Sequence, residues 1–174
     1  FTSGSTGRPK GVAVDHRQLS NYVNAVWEKL RLPPGSSFAM VSTISADLGN
    51  TSLFSALCNA GTLHLITEER STNAAALADY FRRNRIDCLK IVPTHLSALL
   101  EVANPAEILA RERLVLGGDA CPWSLVERIR SLSPDCVILN HYGPTEATVG
   151  ALTHELSGEL ESETVPLGRP LGNV

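Results

Sequence analysis

The chain has 174 residues, which is enough for one domain with a substantial hydrophobic core. Hydrophobic residues make up 43%, charged residues make up 19% and the formal net charge is −3, which excludes the strongly basic character of a nucleic-acid-binding domain. No apolar run approaches the roughly 20 residues of a membrane span, so we expect neither nucleic acid nor a membrane as a partner.

The first third of the chain begins with a loop and continues with regular patterns. Glycine, serine, threonine and proline are concentrated in residues 3–11, which predicts the loop. Residues 16–32 have helical spacing, and Pro33 ends that helix. Its apolar face comprises Leu19, Tyr22, Val23, Val26, Trp27 and Leu30. We then predict a strand at 38–44, a short helix at 52–58 and a strand at 62–66.

The rest of the chain alternates helices with strands. Ser71 or Thr72 can cap the next helix, and Pro122 suits the first turn of a later one. The predicted order is helix 74–84, strand 87–92, helix 93–102, strand 113–116, helix 122–132, strand 136–139 and strand 148–154. This alternation predicts an α/β fold with largely parallel sheets flanked by helices.

Polar, glycine-rich segments follow several predicted strands, at residues 45–51, 117–121 and 140–146. In parallel α/β sheets, ligands lie beyond the carboxyl ends of the strands. We therefore expect one site that is assembled from these three loops.

The cysteines and histidines argue against a metal or disulfide framework. The four cysteines form no CxxC pair, and each lies in or beside an apolar stretch: Cys58, Cys88, Cys121 and Cys136. Buried, reduced thiols and a cytoplasmic location are therefore the favoured interpretation. The five histidines show no HxxxH spacing either.

The segment 2–11 has the composition of a phosphate-binding loop. Its glycines let the backbone bend around an anion, its hydroxyls donate hydrogen bonds and Lys10 adds a positive charge. It is not a Walker loop, because Pro9 precedes the lysine and Gly11 follows it. A flexible Gly/Ser linker is the alternative. The candidate nucleotide contacts are Thr2, Ser3, Gly4, Ser5, Thr6, Gly7 and Lys10.

A second motif, Asn140–Glu146, follows a predicted strand. Its Gly143-Pro144 pair fixes a turn, Tyr142 offers an aromatic face, and Glu146 offers a hard oxygen ligand. A plain tight turn between two strands is the alternative.

Together the two motifs resemble the adenylate-forming enzymes, and the chain looks like part of an adenylation domain of a nonribosomal peptide synthetase. Residues 2–11 resemble that superfamily's phosphate loop, and residues 140–146 resemble its NxYGPTE segment. Residues 117–120 and 168–170 resemble two shorter family segments, so the resemblance spans essentially the whole chain.

The resemblance implies roles for individual residues. ATP and Mg²⁺ are the implied cofactors, with Glu146 as the metal ligand and Lys10, Thr145 and Glu146 as the catalytic set. The implied nucleotide contacts beyond the phosphate loop are Gly118, Asp119, Ala120, Asn140, Tyr142, Gly143 and Thr145. The implied partners are an amino-acid substrate, a carrier protein with a phosphopantetheine thiol, and neighbouring synthetase modules.

The resemblance also implies an amino-acid pocket. Asp47 matches the carboxylate that holds the substrate's α-amine, although Ala46 and Gly49 beside it depart from the family pattern. A loop or cap role for Asp47 is the alternative. The full set of implied substrate contacts is Asp47, Leu48, Thr51, Lys90, Val115, Gly117, His141, Val149 and Gly150.

Lys90 indicates which amino acid this pocket accepts. It lies within the apolar run Cys88–Val92, where an unpaired charge would be costly. Either it extends to solvent from a strand edge, or it waits for an anionic substrate side chain. With His141, the pattern resembles pockets for aspartate. Methyl- and hydroxy-aspartates are alternative substrates for the same pocket.

Both ends look cut, so we expect residues 1–174 to be a fragment of the N-terminal core, with the smaller C-terminal subdomain absent. The alternatives are an acyl- or aryl-CoA ligase of the same superfamily and an inactive nucleotide-binding module. A Rossmann dehydrogenase is discarded because no GxGxxG follows a strand.

Overall fold

A seven-stranded sheet organises the computed structural model, which describes residues 2, 7–102, 104–157 and 163–174. The strand order is β2-β1-β3-β4-β5-β6-β7. The first five strands of that order are parallel, and the last two pair antiparallel. The strands are β1 Ser37–Met40, β2 Thr62–Leu65, β3 Cys88–Ile91, β4 Arg113–Leu116, β5 Val137–Tyr142, β6 Leu152–Glu155 and β7 Arg169–Pro170. The predicted α/β class is confirmed.

Six α-helices cover the two faces of this sheet within the described part of the chain. They are α1 His16–Leu30, α2 Asn50–Cys58, α3 Glu68–Ser71, α4 Ala74–Arg83, α5 Pro93–Leu99 and α6 Trp123–Leu132. Short 3-10 turns lie at Asp47–Gly49, Pro105–Ile108 and Thr145–Ala147. The turn at Pro105–Ile108 and strand β7 were missed from sequence, because both are too short to show a period.

Side chains alternate between the two faces, as they do in any strand. On β3, Leu89 and Ile91 join the larger core with α4, α5 and α6, while Cys88 joins the smaller core with α1 and α2. The same alternation places Val115 of β4 and Leu139 of β5 in the smaller core. Lys90 and His141 therefore point toward α1 and α2.

Several predicted boundaries change in the structure. Strand β1 ends at Met40 rather than at Ile44, because the ladders with β2 and β3 stop there and Ile44 is exposed. The cap of α4 is Asn73, whose side chain accepts from the Ala76 amide at 3.1 Å. Ser71 and Thr72 instead end the short helix α3.

Strand β5 continues to Tyr142, so the second motif begins inside a strand and not in a loop. Antiparallel pairing with β6 carries the ladder past Asn140, to the Tyr142–Leu152 pair. The expected burial of the cysteines holds for three of them and is wrong for Cys58, which is exposed near the end of α2. No helix in the described ranges is long and apolar enough to cross a bilayer.

Candidate functional site

The candidate residues gather where the strand order reverses, at the carboxyl ends of β1 and β3. The chain leaves β1 and forms the 3-10 turn Asp47–Gly49, which leads directly into α2. Lys90 lies next to the end of β3, and His141 lies near the end of β5. This is the place where open parallel sheets bind ligands.

Lys90 is buried beneath this edge and does not extend to solvent. Its exposed fraction is 3%, and its Nζ donates to Thr51 Oγ1 at 2.6 Å. Burial lowers the pKa of Lys90 to about 7, and the nearby Asp47 charge opposes that shift. The solvent-exposed alternative is thereby excluded, and a costly buried cation lies next to the candidate pocket.

His141 is packed between two glycines. A Cβ at Gly150 would lie 1.8 Å from His141 Nε2, and a Cβ at Gly117 would lie 2.4 Å from the His141 carbonyl oxygen. Burial, together with the Lys90 charge, holds the pKa of His141 well below its usual value, so the ring is neutral. Gly150 therefore leaves room for the imidazole, and Gly117 leaves room for the backbone carbonyl of His141.

Asp47 faces a cavity with one unsatisfied carboxylate oxygen. Its Oδ2 is buried and has no hydrogen-bond partner among the described residues. The cavity has a volume of about 520 Å³ and also includes Thr145 of the second motif. Its lining is otherwise mostly apolar or uncharged: Val12, Val14, Leu19, Ile44, Ser45, Asn50, Phe54, Thr148 and Val149. An ammonium group would satisfy the free carboxylate oxygen.

The second motif divides between strand and turn. Tyr142 is 47% exposed at the end of β5, so its ring is open to stacking. Thr145 and Glu146 follow in a 3-10 turn. Asn140 is buried on the opposite face, and its side-chain amide donates to the Pro166 carbonyl at 2.8 Å. Residues 143–151 join β5 to β6 through a 3-10 turn, so the alternative of a plain tight turn is wrong, and Tyr142 and Glu146 are both exposed.

The segment after β4 lies against Leu48, which follows Asp47 in the 3-10 turn. Gly118 has a φ of +98°, and a side chain there would contact Leu48 and Val92. Asp119 is exposed, and its carboxylate accepts from the Thr94 hydroxyl at 2.6 Å. Ala120 is exposed beside it.

The phosphate loop is closed at its base. Thr2 and Lys10 form an antiparallel bridge, with N–O distances of 2.9 and 3.0 Å between their backbones. Gly7 has a φ of +79°, and Lys10 is exposed. The predicted contacts Ser3, Gly4, Ser5 and Thr6 lie outside the described residues. A free Gly/Ser linker would not require this bridge between Thr2 and Lys10.

Of the remaining predicted pocket residues, Val115 and Thr51 lie beside Lys90, and Val149 lines the cavity of Asp47. Val115 is fully buried beside Lys90 in the strand register, and Thr51 contacts Lys90 directly. Val149 has a φ of +68°, an uncommon conformation for a β-branched residue. Strained backbone of this kind is found at functional sites more often than elsewhere.

Tyr22 belongs to the same cluster and was missed from sequence. Its hydroxyl lies 2.6 Å from Thr51 Oγ1 and 3.2 Å from His141 Nε2. In the sequence, it was assigned to the apolar face of the first helix. The available signal was that a buried tyrosine hydroxyl needs a polar partner.

Glu146 fits the way in which proteins hold Mg²⁺ with a nucleotide. The described residues contain no cluster of three or more histidine, cysteine or acidic side chains. Mg²⁺ is usually held by one or two carboxylates together with substrate phosphates, so a single exposed carboxylate next to Thr145 is compatible with it.

Known proteins resemble this chain over its whole length. The family model described as AMP-binding enzyme matches residues 1–174. The chain is 34% identical over 180 residues to surfactin synthase subunit 2 of Bacillus subtilis (strain 168), covering 100% of this chain and 5% of that protein. It is 35% identical over 173 residues to the AMB antimetabolite synthetase AmbB of Pseudomonas aeruginosa, covering 98% of this chain and 13% of that protein.

Solved structures show the same fold. The nonribosomal peptide synthetase FmoA3 superposes with a TM-score of 0.86 at 26% identity, covering 95% of this chain and 18% of that chain. The Vibrio cholerae adenylation domain AlmE, solved with glycyl-adenosine-5'-phosphate, gives a TM-score of 0.82 at 25% identity, covering 97% of this chain and 32% of that chain. The chain thus spans only a small part of the proteins that it matches.

Proposed function

Because the chain belongs to the AMP-binding enzyme family, we propose that the full protein activates an amino acid with ATP. In this reaction a carboxylate oxygen of the amino acid attacks the α-phosphorus of ATP. The bond from that phosphorus to pyrophosphate breaks, and an aminoacyl-adenylate remains. We place residues 1–174 in the N-terminal core of the adenylation domain.

One observation carries this proposal: Asp47 and Thr145 line the same cavity. The unpaired, buried Oδ2 of Asp47 suits a substrate ammonium group, and the Thr145 hydroxyl suits a phosphate oxygen. An amino acid held by its amine at Asp47 would have its carboxylate near the nucleotide. A fatty or aryl acid would leave the Asp47 oxygen unsatisfied, which disfavours the ligase alternative.

The buried Lys90 defines the side chain of the substrate. A buried cation is stabilised by an anionic partner with good geometry, and Lys90 now has only the neutral Thr51 hydroxyl as a hydrogen-bond acceptor among the described residues. Aspartate would supply that anion. Asparagine is a poorer fit because its neutral amide gains less from the ammonium. Methyl- and hydroxy-aspartates carry the same anion and belong to the proposed substrate class.

The residues would act by positioning and by neutralising charge. Lys10 and the hydroxyls of the phosphate loop bind phosphate oxygens, and Thr145 orients the α-phosphate. Tyr142 stacks on the adenine. Mg²⁺, held by Glu146, would supply further charge neutralisation when bound.

The proposal includes partners. An aminoacyl-adenylate must pass to an acceptor, and we propose a carrier-protein phosphopantetheine thiol and neighbouring synthetase modules. The relatives include a surfactin synthase subunit, a tyrocidine synthase and a bacitracin synthase, and the chain covers 5% or less of each of these three. The four free thiols fit a cytoplasmic protein.

Amino-acid-dependent exchange of pyrophosphate into ATP tests the reaction. The full-length protein should exchange chiefly with aspartate when a panel of amino acids is compared. Exchange with a neutral amino acid would support the proposed reaction, but it would contradict the proposal that Lys90 binds an anionic substrate side chain. Exchange only with fatty or aryl acids would indicate the ligase, and ATP binding without any exchange would indicate an inactive module.

Lys90→Ala tests the pocket within the same assay. We expect this variant to lose aspartate-dependent exchange by at least a hundredfold, because the substrate carboxylate would be buried without a partner. The matched control is Lys29→Ala, which removes an exposed lysine from α1. Unchanged aspartate activation in Lys90→Ala would contradict the proposal.

A further inference from the structure

Four buried polar side chains form one continuous hydrogen-bonded chain beneath the pocket. Thr51 Oγ1 lies 2.6 Å from Lys90 Nζ and 2.6 Å from the Tyr22 hydroxyl. The Tyr22 hydroxyl in turn lies 3.2 Å from His141 Nε2. Tyr22 is 3% exposed, and its ring meets the His141 ring edge-on with centroids 5.8 Å apart. The chain links α1, α2, β3 and β5.

The proton positions along this chain follow from what each group can do. An ammonium group can only donate, so Thr51 Oγ1 accepts from Lys90. The buried imidazole is neutral, since its pKa is held well below its usual value by burial and by Lys90. Burial also raises the pKa of Tyr22, so its hydroxyl keeps its proton.

One arrangement gives each of the two hydroxyl protons an acceptor within this chain of side chains. Thr51 donates to the Tyr22 oxygen, and Tyr22 donates its single proton to His141 Nε2. With Nε2 accepting, the one proton of the neutral ring is on Nδ1. The Lys90 ammonium and the remaining nitrogen of His141 are then both donors.

We propose that Tyr22 is a positioning residue that sets the polarity of the side-chain pocket, so that Lys90 and His141 offer only donors and select a carboxylate over an amide. The inference rests on the proposed function, because it takes Lys90 and His141 as the groups that meet the substrate side chain. A carboxylate accepts from both groups, whereas an amide brings its own N–H donors.

The hydroxyl of Tyr22, and not its ring, would determine the preference for a carboxylate over an amide. Without it, His141 can move its proton to Nε2 and turn Nδ1 into an acceptor, which would suit the amide of asparagine. A purely structural role of the ring would not distinguish aspartate from asparagine. The ratio of kcat/KM for aspartate to kcat/KM for asparagine is therefore the informative measurement.

The experiment compares Tyr22→Phe with a matched control in the full-length protein. Tyr80→Phe is that control, because the Tyr80 hydroxyl also contacts a histidine, His64 Nδ1 at 3.0 Å, with ring centroids 5.8 Å apart. His64 lies on β2, which is the strand at one edge of the sheet. Kinetic constants are measured by pyrophosphate exchange for aspartate, asparagine and ATP.

We expect Tyr22→Phe to lower the aspartate-to-asparagine ratio about tenfold, as the loss of one hydrogen bond in a buried polar site does. The KM for ATP should stay within twofold in both variants, which shows that the nucleotide site is intact. Tyr80→Phe should leave the ratio unchanged. An unchanged ratio in Tyr22→Phe, or an equal fall in both variants, overturns the inference.

The outcome separates this inference from the proposed function. If the wild-type protein exchanges with a neutral amino acid instead of aspartate, the proposed substrate is wrong and Tyr22 does not set a carboxylate-selective polarity. If the wild type prefers aspartate and Tyr22→Phe retains the full preference, the proposed substrate stands and only the role of Tyr22 is wrong.

Discussion

Lys90 is the residue that gives this site its chemical character. Its ammonium group lies in a strand that is buried on both faces, with Met40 and Val115 opposite it in the strand register. Removing such a charge from water costs several kcal/mol unless a partner compensates. The Thr51 hydroxyl and the nearby Asp47 charge compensate only in part, so an anion in the pocket would stabilise the ammonium further.

The pH dependence of aspartate binding follows from this burial. In the empty site, Lys90 has a pKa of about 7, so it loses its proton as the pH rises above 7. The bound carboxylate favours the charged form and raises that pKa. We therefore expect the KM for aspartate to rise with pH above 7, by up to tenfold per pH unit, until the pKa of the complex is reached.

The other titratable groups that face Lys90 do not produce this profile. Burial raises the pKa of Tyr22 and of Cys88, so both stay protonated, and His141 is neutral throughout. Asp47 also acts on Lys90, and its negative charge raises the pKa of the lysine. The KM for ATP, measured over the same pH range, is the control. A KM for aspartate that is flat between pH 6.5 and about 9 would contradict the prediction.

Single residues differed in how well the sequence predicted them. Lys90 could be singled out because a charge within an apolar run breaks the pattern of a buried strand. Tyr22 could not, because an aromatic residue at helical spacing is equally typical of a hydrophobic core. Its role depends on the crossing of α1 over β5, which brings residues 119 positions apart into contact.

Helix α4 shows how the start of an element is decided by one side chain. From the sequence, we predict Ser71 or Thr72 as the cap of this helix, although Asn73, which follows them, is also of a type that caps helices. The structure selects Asn73, because Ser71 and Thr72 use their hydroxyls on the carbonyl of Glu68 in the preceding turn.

Replacing this cap should loosen the first turn of α4. We expect Asn73→Ala to weaken that turn by about 1 kcal/mol, which corresponds to roughly fivefold faster amide hydrogen exchange at the start of the helix. Hydrogen exchange followed by mass spectrometry on the complete domain measures this. Thr72→Ala is the control and should change exchange in α4 by less than about twofold. Equal effects from both substitutions would show that Asn73 is not the cap.

Strand ends were predicted less well than strand centres. The apolar centres of β3 and β4 were correct, because buried parallel strands are continuous apolar runs. The predicted end of β5 was wrong, because Asn140 and His141 are polar residues of the kind that loops contain. Their place in the strand depends on pairing with β6, which lies beyond the turn and could not be derived from local pattern.

At the scale of the whole molecule, the parallel sheet is built from the alternation of strands and helices that the sequence shows. The order of the strands and the division of the helices between two faces were not predicted, since they depend on contacts between distant segments. The candidate segments 45–51 and 117–121 do follow β1 and β4, whereas residues 140–142 of the third segment belong to β5; parallel strands bring their carboxyl ends to one edge, so the three segments lie at that edge.

The isolated 174-residue chain should be inactive. The chain covers only 5% of surfactin synthase subunit 2 and 13% of AmbB, and it exposes large apolar side chains at Ile44, Leu57 and Leu65. We expect no amino-acid-dependent pyrophosphate exchange above background from this chain. The complete domain, assayed in parallel, is the control, and circular dichroism shows whether the chain is folded. Robust turnover by the chain alone would prove this wrong.

The packing of His141 against Gly150 also constrains how such a pocket can diverge. A side chain added at Gly150 would overlap the imidazole, with its Cβ 1.8 Å from Nε2. A lineage that first replaces His141 by a small residue opens the space, and Gly150 is then free to vary. The reverse order passes through an ancestor with a disrupted pocket. The two positions should therefore change in a fixed sequence over evolutionary time, with the histidine first.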